Sequence, residues 1–221
     1  MCRQGEDEVS TKRLKVMVAE EVAQASVEGA VLLDFRDLED FAASRIPGAV
    51  FICFNARSVP KHVSTVALPG SSIVLIGNRD RVEKIQAWFE SVDSYNVIGW
   101  FEGDMGTWTA AGKSIESLRS LSVEGLHQRW YDDRKSFELI DVREPFEWNL
   151  GTIEGSRLVS LGDVHETMDV LKRDQELIFI CEQGVRSATA ATLFSRQGFQ
   201  NTANVAKGFG AWFDAGFPIV E

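Results

Sequence analysis

The sequence predicts an α/β protein built from two similar domains, each a parallel β-sheet flanked by helices. Two observations support this fold class: short apolar runs alternate with amphipathic stretches, and the whole pattern occurs twice. The chain has 221 residues, of which 44% are hydrophobic and 25% charged, close to the average for globular proteins. This length allows two domains of about 100 residues, each with a core of its own.

The internal repeat is the reason for predicting two domains. The Asp-Val-Arg at 141–143 lies 107 positions after the Asp-Phe-Arg at 34–36, and TIEGS follows RIPGA at the same offset. Farther along, LIFI at 177–180 follows IVLI at 73–76 by 104 positions. The offset falls by three positions between these two comparisons, so the second copy is three residues shorter there. The missing residues belong in a loop, because the elements on either side stay in register. The predicted units are a first domain over 14–112, a polar linker over 113–120 and a second domain over 121–221.

Each copy contains four apolar runs rich in Val, Ile, Leu and Phe, which are typical of strands in a parallel sheet covered on both faces. The predicted strands are 30–35, 50–54, 73–76 and 96–101 in the first copy and 138–142, 157–161, 176–181 and 202–206 in the second. Amphipathic stretches predict helices over 80–92 and 187–197. The second of these is expected to begin at Ser187 and to end before Gly198.

Composition excludes several classes of function. The 23 basic and 33 acidic residues give a formal net charge of −10, so we expect neither a nucleic-acid nor a membrane partner. No run approaches the roughly 18 to 20 apolar residues of a membrane span, and the first ten residues are polar and acidic, unlike a signal peptide. A cytoplasmic protein is therefore expected. Without a ligand cluster or a phosphate-binding glycine motif, no metal and no cofactor is predicted.

The most informative passage is ELIFICEQGVRS at 176–187. A strand whose apolar residues are typical of a buried strand ends at Cys181. A glycine-containing loop then leads into the N-terminus of a helix. Loop amides and the helix N-terminus stabilise an anionic sulfur or a bound anion, and the Arg186 fork suits a sulfonate or carboxylate. We therefore predict Cys181 as a nucleophile in preference to a small buried hydrophobe at a strand end. Its predicted substrate-binding cradle is Glu182, Gln183, Gly184, Val185, Arg186 and Ser187.

With these residues the second copy resembles the rhodanese family of sulfurtransferases. The matching segments are DVRE at 141–144, GTIEGS at 151–156, the Cys181 loop, KGFGAW at 207–212 and Pro218. The resemblance implies that Cys181 takes a sulfane sulfur from thiosulfate or a low-molecular-weight persulfide and passes it to cyanide or a thiol. The C-x4-R spacing from Cys181 to Arg186 separates this sequence from the phosphatases and arsenate reductases of the same fold, which use C-x5-R.

The first copy resembles the same family over 30–112, but Gly77 stands in the place of the nucleophile. We therefore predict that the first domain is catalytically silent. By analogy with other two-domain members, it is expected to pack on the second domain and to form one side of the entrance to the Cys181 site. The alternative is that it serves only folding or another partner.

Two other functions stay open at this point. Cys181 could carry a persulfide from one protein to another, with a protein as sulfur acceptor, or the chain could be a non-catalytic binding module. The donor is open as well, because the Glu182 carboxylate opposes ionisation of the neighbouring thiol and repels a dianion such as thiosulfate. Glutathione persulfide is therefore a second candidate donor.

The remaining polar candidates are given structural roles. Asp141 and Arg143 are predicted to form a structural ion pair, because Asp34 and Arg36 repeat them in the copy that lacks a nucleophile. Burial is expected for Cys53 and exposure for Cys2. The histidines show no metal-ligand spacing and are predicted to lie at the surface: His62, His127 and His165.

Overall fold

A computed structural model describes residues 14–55, 59–102 and 104–220. The chain forms two parallel β-sheets that follow one another along the sequence, and helices connect their strands. The predicted α/β class with parallel sheets flanked by helices is confirmed. The expectation for Cys2 falls outside the described residues. Among the residues described, no helix is long and apolar enough to cross a membrane, and a cytoplasmic location stays a prediction.

The first sheet has the strand order β2-β1-β3-β4, with every pair parallel. Its strands are β1 (Val31–Asp34), β2 (Val50–Phe51), β3 (Ser72–Ile76) and β4 (Asn96–Phe101). Its helices are α1 (Ala19–Val27), α2 (Leu38–Ala43), α3 (Val59–Val66), α4 (Arg79–Val92) and α5 (Met105–Ala110). Strand β1 is buried along its whole length, which explains why its sequence is apolar without alternation.

The second sheet has the order β5-β9-β8-β6-β7, again with every pair parallel. Its strands are β5 (Ser120–Leu121), β6 (Phe137–Asp141), β7 (Arg157–Leu158), β8 (Glu176–Ile180) and β9 (Asn201–Val205). Its helices are α6 (Val123–Asp132), α7 (Pro145–Trp148), α8 (Val185–Arg196) and α9 (Gly208–Asp214). Two 3-10 helices complete this half, Arg134–Ser136 and Leu161–Thr167.

The two sheets repeat one arrangement. The order β7-β6-β8-β9 corresponds to β2-β1-β3-β4, with β5 as an added edge strand. The repeat extends to single hydrogen bonds: the indole nitrogen of Trp108 donates to the Ser114 carbonyl at 2.8 Å. The indole of Trp212, 104 positions later, donates to the Pro218 carbonyl at 3.0 Å. Both indoles are buried, so the offset found in the sequence matches equivalent places in space.

Alternating residues of the second sheet divide between two cores, because successive side chains of a strand point to opposite faces. Ile178 and Ile180 of β8 belong to a cluster with residues of α6 and α9. Leu177 and Phe179 belong to a larger cluster that includes α8 and continues into the first sheet. Helix α8 is buried from Ser187 to Phe194. The helix that follows Cys181 therefore lies between the two halves of the chain.

Hydrogen bonds across the two halves fix this position of α8. The Phe51 amide donates to the Thr192 hydroxyl at 3.2 Å. The Arg196 guanidinium donates to the carbonyls of Ala30 and Gly48 at 3.1 and 3.3 Å. The segment predicted as linker packs as well, because Arg45 and Glu116 exchange backbone hydrogen bonds of 2.8 and 3.0 Å. The predicted domain limits remain predictions, but the halves share one continuous core.

Four local predictions are wrong. Helix α8 begins at Val185 and not at Ser187, because Gly184 turns the chain with a φ of +83° and takes the N-cap position. The strands predicted over 50–54 and 157–161 stop at Phe51 and Leu158, where pairing to the neighbouring strand ends. His62 is not a surface residue: it lies in α3 and is 5% exposed.

Candidate active site

Cys181 lies at the carboxyl edge of the second sheet, directly after β8. The last residue of β8, Ile180, pairs with Asp141 at the end of β6, and this edge is where parallel α/β sheets bind ligands. The Ser187 hydroxyl donates a hydrogen bond to the Cys181 sulfur at 3.3 Å. Cys181 is 1% exposed. The sulfur thus has a polar donor from the first turn of α8, and the residue that carries it is almost inaccessible to water.

The loop leaves its backbone donors free. In the backbone hydrogen bonds of the described residues, the first amide of α8 with a partner is that of Ala188, which donates to the Gly184 carbonyl. The N–H groups of 182–187 have no acceptor there, as expected for the first turn of a helix without a side-chain cap. Six unpaired donors followed by a twelve-residue helix make a suitable environment for an anion.

Two glycines allow the loop and the segment after β9 to pack backbone against backbone. A Cβ on Gly184 would lie 3.0 Å from the Val205 carbonyl oxygen. A Cβ on Gly208, whose φ is +62°, would overlap the Cys181 carbonyl oxygen. The Phe209 amide donates to that same carbonyl at 2.7 Å. The start of α9 therefore fixes the carbonyl side of the Cys181 loop, while its amides stay available.

Arg186 has a partner that the sequence did not reveal. Its two terminal nitrogens donate to the two carboxylate oxygens of Glu147 at 2.6 and 2.7 Å. Burial by itself would lower the pKa of the Arg186 guanidinium, but the hydrogen bonds to Glu147 and the attraction of Cys181 raise it. Both terminal nitrogens of the Arg186 guanidinium, which is predicted to bind the substrate, are therefore already bonded to the Glu147 carboxylate of α7.

Glu182 and Gln183 lie on another side of the loop, where they line an open groove of about 720 Å³. The Glu182 side chain is 44% exposed, and its Oε2 lies 3.9 Å from a terminal guanidinium nitrogen of Arg143. Lys207 and Phe209 line the same groove. Val185 is half-buried and packs against the core shared by both halves. The cradle residues therefore divide: Ser187 contacts the sulfur, Arg186 pairs with Glu147, and Glu182 reaches toward Arg143.

The first half of the chain supplies side chains beside the loop. Lys61 of α3 forms an ion pair of 2.6 Å with Glu144, the residue before α7. His62 follows it, and its Nδ1 has no hydrogen-bond partner among the described residues. Burial, together with the cations Arg186 and Lys61, lowers the pKa of His62 to about 4. Lys61 and Glu144 are 83 positions apart, and no spacing rule connects Glu144 of the DVRE segment with Lys61, so sequence reasoning could not find this contact.

Asp141 and Arg143 form a buried ion pair. Each side chain is 1% exposed, and the guanidinium donates to the carboxylate at 2.7 to 3.1 Å and to the Gly151 carbonyl at 2.8 Å. The first half has the same arrangement, in which Arg36 donates to Asp34 and to the Ser44 carbonyl at 2.8 Å. The pair anchors the loop after β6.

The corresponding loop of the first half is built differently. Two residues, Gly77 and Asn78, separate β3 from α4, whereas four separate β8 from α8. The Asn78 side chain accepts a hydrogen bond from the Arg81 amide and caps the helix. In the first half the loop between strand and helix is therefore shorter, the Asn78 side chain caps the helix, and Gly77 follows the strand in place of a cysteine. Among the described residues, no three or more His, Cys, Asp or Glu side chains are grouped to hold a metal ion.

The comparisons with known proteins fall on the second half. A model of the Rhodanese-like domain matches residues 124–215. The putative sulfurtransferase YtwF of Bacillus subtilis is 36% identical over 95 residues, which cover 43% of this chain and 90% of YtwF. The chain belongs to the rhodanese family. The loop of Cys181 lies inside the matched rhodanese-like domain.

Two further relatives show how this rhodanese-like domain is used elsewhere. The thiosulfate sulfurtransferase GlpE of Shewanella oneidensis is 29% identical over 101 residues, 46% of this chain and 98% of GlpE. The putative sulfur carrier protein YrkF of Bacillus subtilis is 31% identical over 102 residues, 46% of this chain but only 55% of YrkF. The names of these rhodanese relatives support sulfur transfer in general.

Proposed function

We propose that this rhodanese moves a sulfane sulfur through a persulfide on Cys181. The observation that carries the proposal is the Cys181 sulfur, which accepts a hydrogen bond from Ser187 and precedes a segment, 182–187, whose six amides have no backbone acceptor among the described residues. Hydrogen bonds and helix dipoles of this kind stabilise a thiolate, which is the nucleophilic form of cysteine. The persulfide formed on it is an anion that the same donors can hold.

The reaction is written with thiosulfate as donor. The Cys181 thiolate attacks the outer sulfur of thiosulfate, the sulfur–sulfur bond of the donor breaks, and sulfite leaves with the electron pair. The Cys181 persulfide anion then gives its outer sulfur to cyanide, which becomes thiocyanate, and the thiolate is restored. A low-molecular-weight persulfide can replace thiosulfate, with its thiolate as leaving group. A thiol can replace cyanide as acceptor. The name of the relative GlpE supports thiosulfate as one candidate donor.

We assign the first half a structural part in this function. Its loop at Gly77 is short and capped, which supports a catalytically silent domain. Its helix α3 brings the Lys61 ammonium to 2.6 Å from the Glu144 carboxylate. This contact supports the proposal that the first half forms one side of the entrance to the Cys181 site. The predicted alternative, a protein-to-protein persulfide carrier, is supported by the name of YrkF alone.

Mass spectrometry of the intact protein tests the proposal. We expect the native protein to gain the mass of one sulfur atom after exposure to thiosulfate or to glutathione persulfide, and peptide mapping to place that sulfur on Cys181. Cys181 is 1% exposed, so the experiment also tests whether donors reach it. A protein that stays unmodified with both donors, or that carries the sulfur on Cys53, would refute the proposal. A stable persulfide with slow turnover to thiocyanate would favour the carrier.

Replacing Gly208 with alanine is expected to impair both folding and sulfur transfer. The new Cβ would overlap the Cys181 carbonyl oxygen and lie 2.7 Å from backbone atoms of Glu182, so the loop must shift. We expect the free energy of unfolding, measured in urea, to fall by about 1–3 kcal/mol from overpacking. The rate of sulfur transfer should fall as well, because the displaced loop carries both Cys181 and the amides that follow it.

Gly216→Ala is the matched control for this substitution. Gly216 follows the other end of α9 and has a similar φ of +70°, but a Cβ there meets no atom within 4 Å. This variant pays only the strain of the left-handed conformation, roughly 1–2 kcal/mol, and should retain sulfur transfer. Equal activities of the two variants would show that the contact between Gly208 and the Cys181 loop is not required.

A further inference from the structure

The charge of Arg186 beside the nucleophile is neutralised by one specific residue, Glu147. The two side chains form a bidentate pair of 2.6 and 2.7 Å. They are largely buried, with 20% of the Arg186 side chain and 14% of the Glu147 side chain exposed. A bidentate pair with this little exposure to water is strongly coupled. Arg186 therefore does not present a free cation to a molecule that approaches Cys181.

Glu147 is held in place as an anion. Its Oε2 accepts a hydrogen bond of 2.8 Å from the Glu144 amide at the start of α7, in addition to the bond from Arg186. Burial by itself would raise the pKa of the Glu147 carboxyl, but these hydrogen bonds lower it below its ordinary value. The carboxylate is thus charged near neutral pH and fixed from both sides.

Two other cations near the loop also have carboxylate partners. Lys61 pairs with Glu144 at 2.6 Å, and Arg143 pairs with Asp141 at 2.7 Å. His62, with a pKa of about 4, is neutral near pH 7. Lys207 is a further cation, and it lines the groove beside the Glu182 carboxylate. Lys61 and Arg143 therefore already have carboxylate partners, as Arg186 does, and Lys207 is a cation that faces the groove and not Glu147.

We propose that Glu147 determines the donor preference of Cys181, favouring organic persulfides over thiosulfate by occupying the Arg186 guanidinium. This inference rests on the proposed sulfur transfer and specifies its donor class. Thiosulfate carries two negative charges close to the sulfur that is transferred, and its leaving group, sulfite, is also a dianion. An organic persulfide has a neutral carbon next to its sulfurs and at most one negative charge on them, so its reacting end depends less on a cation beside Cys181. Glu147 acts here as a specificity-determining residue, through Arg186.

The Glu147→Gln variant tests this inference. Glutamine keeps an oxygen that can accept the bond from the Glu144 amide, as expected at the third position of a helix, but it no longer neutralises Arg186. We expect kcat/KM for thiosulfate to rise roughly ten-fold relative to kcat/KM for glutathione persulfide, the effect of one uncompensated charge at several ångströms. The gain should lie mainly in KM for thiosulfate and should shrink as ionic strength rises.

Glu166→Gln is the matched control, because Glu166 is an exposed carboxylate of the 3-10 helix Leu161–Thr167. It should leave the ratio of the two donors unchanged. An unchanged ratio in Glu147→Gln would overturn the inference, and so would the absence of any thiosulfate reaction in both the wild type and that variant. A merely structural role of Glu147 would lower the reaction with both donors alike, and that result would overturn it too.

The two proposals fail in different ways. If wild-type protein transfers sulfur from neither donor, the proposed function is wrong before the ratio is considered. If it transfers sulfur from glutathione persulfide through Cys181 and the ratio does not change in Glu147→Gln, the function stands. Only the assignment of donor preference to Glu147 is then lost.

Discussion

Replacing Cys181 with serine is expected to reduce sulfur transfer from either donor by about 10³-fold or more. Serine fills the same place after β8 and can still bond Ser187, but its hydroxyl is a weak nucleophile and cannot form a persulfide. The measurement is thiocyanate production from cyanide, with thiosulfate and with glutathione persulfide as donors. The unfolding curve should change little, because the two side chains are similar in size.

Cys53→Ser is the control for this experiment. Cys53 is half-buried, and burial raises the pKa of its thiol, although Arg81 acts in the opposite direction. A thiol that stays protonated near neutral pH is a poor nucleophile. Sulfur transfer should therefore persist in Cys53→Ser. If turnover persisted in Cys181→Ser and disappeared in Cys53→Ser, the nucleophile would have been assigned to the wrong cysteine.

Replacing Arg143 with methionine is expected to lower the free energy of unfolding by about 3–5 kcal/mol. The substitution leaves the Asp141 carboxylate 1% exposed without its partner and removes the donor to the Gly151 carbonyl. It also removes the guanidinium from the ring of Phe209, whose centroid lies 3.6 Å away. Urea denaturation followed by circular dichroism measures the change. Because the Phe209 amide binds the Cys181 carbonyl, slower sulfur transfer is expected at the same time.

Arg157→Met provides the comparison for an ion pair in contact with water. Arg157 bonds Glu138 at 2.7 Å, but the two side chains are 41% and 27% exposed. Such pairs contribute about 0–1 kcal/mol. Equal costs for Arg143→Met and Arg157→Met would show that burial does not set the contribution of the Asp141–Arg143 pair. A double variant, Arg143→Met with Asp141→Leu, should recover part of the stability because no charge is left buried.

Much of the fold could be read from local patterns. The apolar runs at 73–76 and 176–181 predicted β3 and β8 because strands buried on both faces need apolar side chains on both. The helix predicted over 80–92 is α4. The start of α8 was misread, because Ser187 has the right residue type for a cap while Gly184 makes the turn. A propensity for capping does not reveal which residue adopts a positive φ.

The candidate site also combines features that the local sequence predicts with contacts that it does not predict. The proposed nucleophile, the loop and the guanidinium of Arg186 all lie within one short segment, and their order alone predicts the proposed chemistry. The partner of that fork, Glu147, lies 39 positions earlier, and Lys61 reaches Glu144 from the other half of the chain. No spacing rule connects residues whose contact depends on how α3, α7 and α8 pack.

From the order of residues alone it follows that a cysteine lies between a buried strand and a helix, and that the same unit occurs twice, once with Gly77 in the place of the cysteine. These are properties of neighbouring residues, for which chain connectivity fixes the geometry. Which charges lie near the sulfur, and how far water is excluded from it, follow from the packing of distant segments. Electrostatic interactions depend on distance in space and on burial, and both arise only when the two halves pack around α8.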